Sequence, residues 1–256
     1  MLTFLKITSA SLILGLALHG TALAQTFGPE SIEYATEAQT LQKQNDHKKA
    51  IKRLKKGLKL DGLSAFETST MYQMMGNSYY AQKKYDDAIE AFGSAIQAGG
   101  LSPADKNGLQ ENIAQLNIAE KNYALGAQQL ETYFREGGLQ KPKLVKQIVQ
   151  AHFRAKNREA AVPWAEVMLR QGLIETRREH DVAVYLFDSP EKRASQMQVA
   201  RQLLAKWPSD PAVLAQIERL NVKAKIDGVP TLPVPGGVKS AVTKVNLVNR
   251  FEKFNC

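Results

Sequence analysis

The stretch Met71 to Gly100, MYQMMGNSYYAQKKYDDAIEAFGSAIQAGG, constrains the fold more than any other part of the chain. Its apolar residues recur at helical spacing in two runs. Tyr72, Met75, Gly76 and Tyr79 share one face of a first helix, and Ala88, Phe92 and Ala95 form the facing stripe of a second. Lys83 and Lys84 mark the turn between them. Small residues at 76 and 88 let two backbones approach, and the large ones at 72, 79, 85 and 92 fill the space around that contact, as ridges fill grooves. The pattern therefore predicts a helical hairpin whose crossing sets Gly76 against Ala88.

The same order of residue types returns along the chain. Aligning Ala50 with Ala88 places Tyr34, Ala38 and Leu41 where Tyr72, Gly76 and Tyr79 stand. A third pair follows the helix start Ser102-Pro103, with Ser as cap and Pro at the first helical position. Tyr123 takes the place of Tyr85, which puts Ala114 and Gly126 at the two small positions and continues the stripe at Leu130 and Tyr133. A fourth pair runs from Pro142 to Gly172, with Phe153 on its first helix, Ala161, Ala165 and Met168 on its second, and a turn one residue shorter. Pro163 is expected within the first turn of a helix that begins near Ala160, where a missing N–H costs little.

The order Tyr72-x2-Met75-Gly76-x2-Tyr79, then Ala88-x3-Phe92, resembles the tetratricopeptide repeat, a helix-turn-helix unit of about 34 residues. The spacing from 50 to 88 exceeds that unit, and the excess is placed in the loop GLSAFET at 62–68. The resemblance implies an all-α, right-handed α-solenoid of TPR-like helix-turn-helix pairs with an irregular C-terminal tail. Its repeats fall at about 31–64, 69–102, 107–140, 143–173 and 177–210, with a capping helix at 211–225.

In the fifth of these, Val182, Tyr185 and Leu186 share a face, and Asp188-Ser189-Pro190-Glu191 opens another helix. Trp207-Pro208 closes it. The capping helix should show a polar outer face of Gln216, Glu218, Arg219 and Lys223, as the end of a solenoid requires. After Asp227-Gly228 the run VPTLPVPGG reads as an extended linker. The segment 238–256 is open to three readings: disorder, a helix docked on the array, or a strand added to a partner's sheet. The domains expected are 1–24, a signal peptide, 25–226, the helical repeat domain, and 227–256, linker and tail.

Residues 1–24 carry one Lys, the apolar run ITSASLILGLAL and Ala22-Leu23-Ala24 before Gln25, the layout of a secretory leader with small residues at the cleavage positions. An exported, periplasmic protein that is soluble after cleavage is expected. The only cysteine is Cys256, so no internal disulfide can form. It is either an exposed thiol or a site of intermolecular pairing. The formal charge of +9 suits acidic partners or anionic lipid headgroups, whereas nucleic acid is a poor match for an exported chain.

No HExxH, CxxC pair, P-loop or G-x-S-x-G element is present, and His47, His152 and His180 are scattered. Glu179-His180-Asp181 splay about 100° apart on a helix, cannot face one ion together, and are expected in solvent. No enzyme activity, cofactor or metal is called for. The resemblance implies instead a concave groove that binds an extended partner segment. Its lining falls on Gln39 and Gln42, on Gln73, Asn77 and Tyr80, on Gln115, and on Arg154. Chaperone-binding members clamp a carboxylate with Lys and Asn on the first repeat and basic residues on the third; Ala35 and Gln39, then Gly108 and Asn112, stand in those places, so that clamp is missing. A protein-interaction adaptor in the cell envelope, of the kind that serves TonB-linked or similar complexes, is the function this implies. The alternative is a peripheral membrane or cell-wall binder that uses the basic amphipathic helix with Lys48, Lys52, Arg53, Lys55, Lys56 and Lys59.

Overall fold

A computed structural model describes residues 27–234; the expected leader at 1–24, the tail at 238–256 and Cys256 lie outside the described residues. Among the described residues there are eleven α-helices and no strand. They divide into two compact units, one running to Met168 and one beginning at Leu169. Unit 1 holds four helix pairs, the last helix running two residues past its boundary: α1 (Pro29–Lys43) with α2 (His47–Gly57), α3 (Ala65–Ala81) with α4 (Tyr85–Gln97), α5 (Pro103–Ala119) with α6 (Tyr123–Arg135), and α7 (Pro142–Arg154) with α8 (Arg158–Arg170). Unit 2 holds α9 (Arg177–Leu186), a 3-10 turn Pro190–Lys192, α10 (Arg193–Lys206) and α11 (Pro211–Ile226).

One turn closes all four pairs of unit 1. Its middle residue, Asn45, Lys83, Lys121 or Lys156, has φ between 58° and 67°, the left-handed region. The next N–H reaches back five residues, from Asp46 to Leu41 O (2.8 Å), Lys84 to Tyr79 O (3.0 Å), Asn122 to Asn117 O (2.8 Å) and Asn157 to His152 O (2.9 Å). These bonds satisfy carbonyls that the helix end would leave bare. They also fix the register, making Leu41, Tyr79, Asn117 and His152 equivalent.

That register corrects three expectations. The fourth turn is as long as the others, and the shortfall lies in α7, which has 13 residues where α3 and α5 have 17. The extra residues before Ser69 are helical, not loop. Ser64 caps α3 and exchanges bonds with Glu67 in a capping box, so Ala65 to Thr68 form the first turn. Pro163 is the sixth residue of α8 and forfeits an interior bond, because the helix starts two residues before Ala160.

The crossings differ in detail from one pair to the next. A Cβ at Gly76 would stand 2.4 Å from Cδ1 and Cε1 of Phe92, so the ring of Phe92, rather than Ala88, covers that glycine. In the third pair a Cβ at Gly126 would come 2.8 Å from Ala114 O, the small-on-small contact that the sequence suggests. Tyr72 and Tyr79 pack against both the cluster around Leu54, Met71 and Met75 and the cluster around Phe92, Leu109 and Leu116. Successive pairs thus share side chains, and their cores run together.

A buried carboxylate locks the first two pairs. Glu67 accepts from Gly28 N (2.8 Å), from Ser64 N (2.7 Å) and from the Ser31 hydroxyl. Burial alone would raise its pKa, but these bonds outweigh it and hold the group at about 2. The carboxylate joins the starts of α1 and α3.

Unit 2 is organised around Arg193, nearly buried, which donates to Asp227 (2.6 Å), Asp188 (2.9 Å) and Gln196. Lys223 adds a second cation on Asp188 at 2.8 Å. Tyr185 departs from its expected face and is 43% exposed, while Val182 and Leu186 are buried. The outer side of α11 is not uniformly polar either, since Val222 and Ile226 are 62% and 78% exposed.

The end of α11 repeats the turn geometry of unit 1: Gly228 has φ 70° and Val229 N bonds Ala224 O at 2.8 Å. Ala224 therefore matches Tyr79, and Asn221 matches Gly76. In place of a second helix, an extended segment turns back along α11. The Asn221 amide donates to Leu232 O and accepts from Leu232 N, both at 2.8 Å, and the Leu232 side chain is buried. The expected linker is, up to this point, part of the fold.

Gly76→Leu should force the Phe92 ring aside and cost about 1–3 kcal/mol, visible as a lower melting temperature by circular dichroism. Glu67→Gln should destabilise by about 1–3 kcal/mol near neutral pH. Because the folded pKa lies below the ordinary value of 4.5, the stabilisation is present above that value and is lost as pH falls towards about 2. Urea titrations across that window should show the gap between parent and variant closing, and a gap that persists unchanged at pH 2 would contradict this assignment.

Candidate peptide-binding face

The first helix of each pair in unit 1 has one side committed to its own second helix and another turned away from it. Gln39, Gln73 and Asn77 stand on the latter side of α1 and α3. All three are partly exposed, and none has a hydrogen-bond partner within the described chain. The other expected lining residues are differently placed. Gln42 donates to Met74 O and to the Ser78 hydroxyl, both at 2.7 Å, so its amide joins α1 to α3. Gln115 is buried and donates to Glu111 (2.9 Å), which Lys141 also bonds at 2.8 Å. Tyr80 packs on the cluster of Phe92, Leu109 and Leu116, and its ring lies 5.8 Å from that of Tyr85 at a tilt of 48°. Burial first, and Tyr85 second, raise its hydroxyl pKa.

In the fourth pair the turn register shifts the face by one residue. The equivalents of Gln73, Asn77 and Tyr80 are Lys146, Gln150 and Phe153. Arg154 instead turns towards α6, where it donates to the Tyr123 hydroxyl at 3.3 Å with its guanidinium 5.2 Å from the ring centre.

Two polar clusters were not foreseen. Glu131 on α6 accepts from Trp164 on α8 at 2.7 Å and meets His152 Nε2 on α7 at 2.8 Å, so one carboxylate ties three helices. The expectation of solvated side chains at 179–181 fails for His180, which is fully buried, sets Nδ1 2.8 Å from Thr176 O and meets Trp207 edge-on at 5.4 Å. Burial pushes its pKa below the ordinary value. Glu179 caps its own helix and Asp181 pairs with Arg177. Among the described residues no group of three His, Cys, Asp or Glu could hold a metal ion, and no helix is long and apolar enough to cross a membrane.

On α2 the apolar stripe Ala50, Ile51 and Leu54 is buried in the unit 1 core. Arg53 is drawn onto α1, 2.9 Å from Glu33 and 2.6 Å from Glu37, with its guanidinium 3.8 Å from the Tyr34 ring centre. Lys48, Lys52, Lys55, Lys56 and Lys59 are exposed.

The described residues are all-α, and unit 1 is an array of tetratricopeptide-like helix pairs. No known family model and no curated protein matches it. Solved structures that it is similar to include a tetratricopeptide repeat protein from Parabacteroides merdae, at 14% identity over 78% of each chain with a TM-score of 0.49. YrrB, described as a TPR protein with an unusual peptide-binding site, is 18% identical over 73% of this chain and 92% of its own, with a TM-score of 0.48. PilF of Pseudomonas aeruginosa is 16% identical over 74% of this chain and 96% of its own, at 0.40. What the chain binds is read from its own surface.

Tyr80 and Asn77, less than a turn apart, should separate on mutation. Tyr80→Ala should lower stability by about 1–3 kcal/mol through lost packing, whereas Asn77→Ala should stay within about 0.5 kcal/mol, both by chemical denaturation.

Proposed function

We propose that the chain is a protein-interaction scaffold that binds an extended segment of a partner protein along the first-helix face of unit 1. The observation that carries this reading is the set of free amides, Gln39, Gln73 and Asn77, on two helices held in place by Gln42 and Glu67. An amide offers donor and acceptor together, which matches the alternating groups of an extended backbone. The helices beneath are already fixed, so binding orders little besides the ligand.

The leader-like residues 1–24 support export, and a partner in the cell envelope follows from that address. A TonB-linked complex is the first candidate.

The double variant Gln73→Ala, Asn77→Ala should weaken binding by about 2 kcal/mol, or ~30-fold, at unchanged melting temperature. The partner would be obtained by pull-down of the exported protein and its affinity measured by calorimetry. An affinity equal to that of the parent would place recognition on another surface.

A further inference from the structure

We infer that the lysine stripe of α2 is a docking surface for an anionic lipid bilayer, separate from the peptide-binding face. The eleven residues of α2 include six cations and no acid, against a net charge of +9 for all 256 residues. Two of the six are neutralised in place, Lys49 by Asp46 at 2.7 Å and Arg53 by Glu33 and Glu37. The remaining four, with Lys59 beyond the helix, make no ion pair among the described residues. Lys55 alone has a recorded contact, its ammonium 6.0 Å from the Tyr79 ring centre.

Positions 48, 52, 55, 56 and 59 fall within about 100° of the helix circumference, in a row roughly 17 Å long. Several of these pairs are three or four apart, where like charges destabilise a helix. Solvation alone would be served as well by glutamine. The stripe thus carries a cost in the free protein that an anionic surface would relieve.

The chemistry of the stripe selects the kind of surface. Lysines act as flexible point charges, and the one arginine, which could grip a phosphate in two places, is turned to α1. No exposed aromatic residue lies between the lysines to stack a base. They present charge in a plane, and a bilayer of anionic headgroups is a plane of charge. The buried stripe of Ala50, Ile51 and Leu54 stops α2 from sinking an apolar face into the bilayer, so attachment is electrostatic and reversible.

The test is sedimentation of the full chain with vesicles of 30% phosphatidylglycerol in phosphatidylcholine, and with phosphatidylcholine alone, at 50 and 500 mM NaCl. Binding to the anionic vesicles is expected at low salt and should be lost at high salt. Each lysine removed should lower partitioning about five-fold, so changing all five to Gln should abolish it, while changing all five to Arg should keep it. Circular dichroism confirms that each variant stays folded. Any contact made by the apolar residues at 7–18 would be the same for both lipids and all variants. Parent that ignores anionic vesicles, or a Gln variant that binds them as the parent does, would overturn the inference. So would parent that is retained by heparin at 150 mM NaCl yet binds no vesicle, which would assign the stripe to a soluble polyanion.

Discussion

Each pair depends on a three-residue turn whose middle residue is left-handed. Asn45, Lys83, Lys121 and Lys156 hold that conformation without being glycine, at a backbone cost of about 1–2 kcal/mol for a residue with a Cβ. The return is positional. The N–H of the following residue reaches the carbonyl five back, which fixes where the second helix starts and hence which residues meet at the crossing. Ala38, Gly76 and Ala114, three residues before the anchoring carbonyl, are small because the second helix passes there.

The same turn recurs where unit 2 ends. At the end of α11 it is made by Gly228, and the position equivalent to Gly76 holds Asn221. Among the described residues no second helix follows. An extended segment takes its place, and it advances about 3.3 Å per residue against 1.5 Å for a helix. Leu232, three residues past Val229, is therefore carried about as far along α11 as Phe92 is along α3, eight residues past Lys84. Leu232 is buried there, and the asparagine amide satisfies the backbone groups that a helix would have satisfied internally.

Most of the architecture was legible because burial in a helical pair imposes period 3.6, and that period survives in one sequence. The parts that were not legible are the polar ones. The place of Tyr79 in the best pair is taken by Asn117 and His152 in the next two, and both polar residues are buried. A buried histidine looks hydrophilic in a sequence, so the apolar pattern in the fourth pair was shifted to Phe153, and Arg154 was carried onto the face with it. Glu67 was hidden for the same reason. Ser64-x-x-Glu67 is a capping-box signal, yet its more important bonds go to Gly28 and Ser31, more than thirty residues away. Long-range polar pairs leave no local periodicity.

The amide side chains show why a candidate face cannot be taken from position alone. Gln42, Gln73, Asn77 and Gln115 are chemically alike and stand at equivalent or neighbouring positions of successive first helices. Two are spent on the protein itself: Gln42 holds α1 to α3, and Gln115 leans on Glu111 beside Lys141. Gln73 and Asn77 keep their donors and acceptors because the residues around them, Met74, Met75 and Gly76, already fill the contact with apolar and small groups. The binding mode proposed above thus rests on a division of labour within one helix. The apolar residues fix the backbone, a few amides join neighbouring helices, and the amides left without a partner are the ones proposed to meet an extended chain.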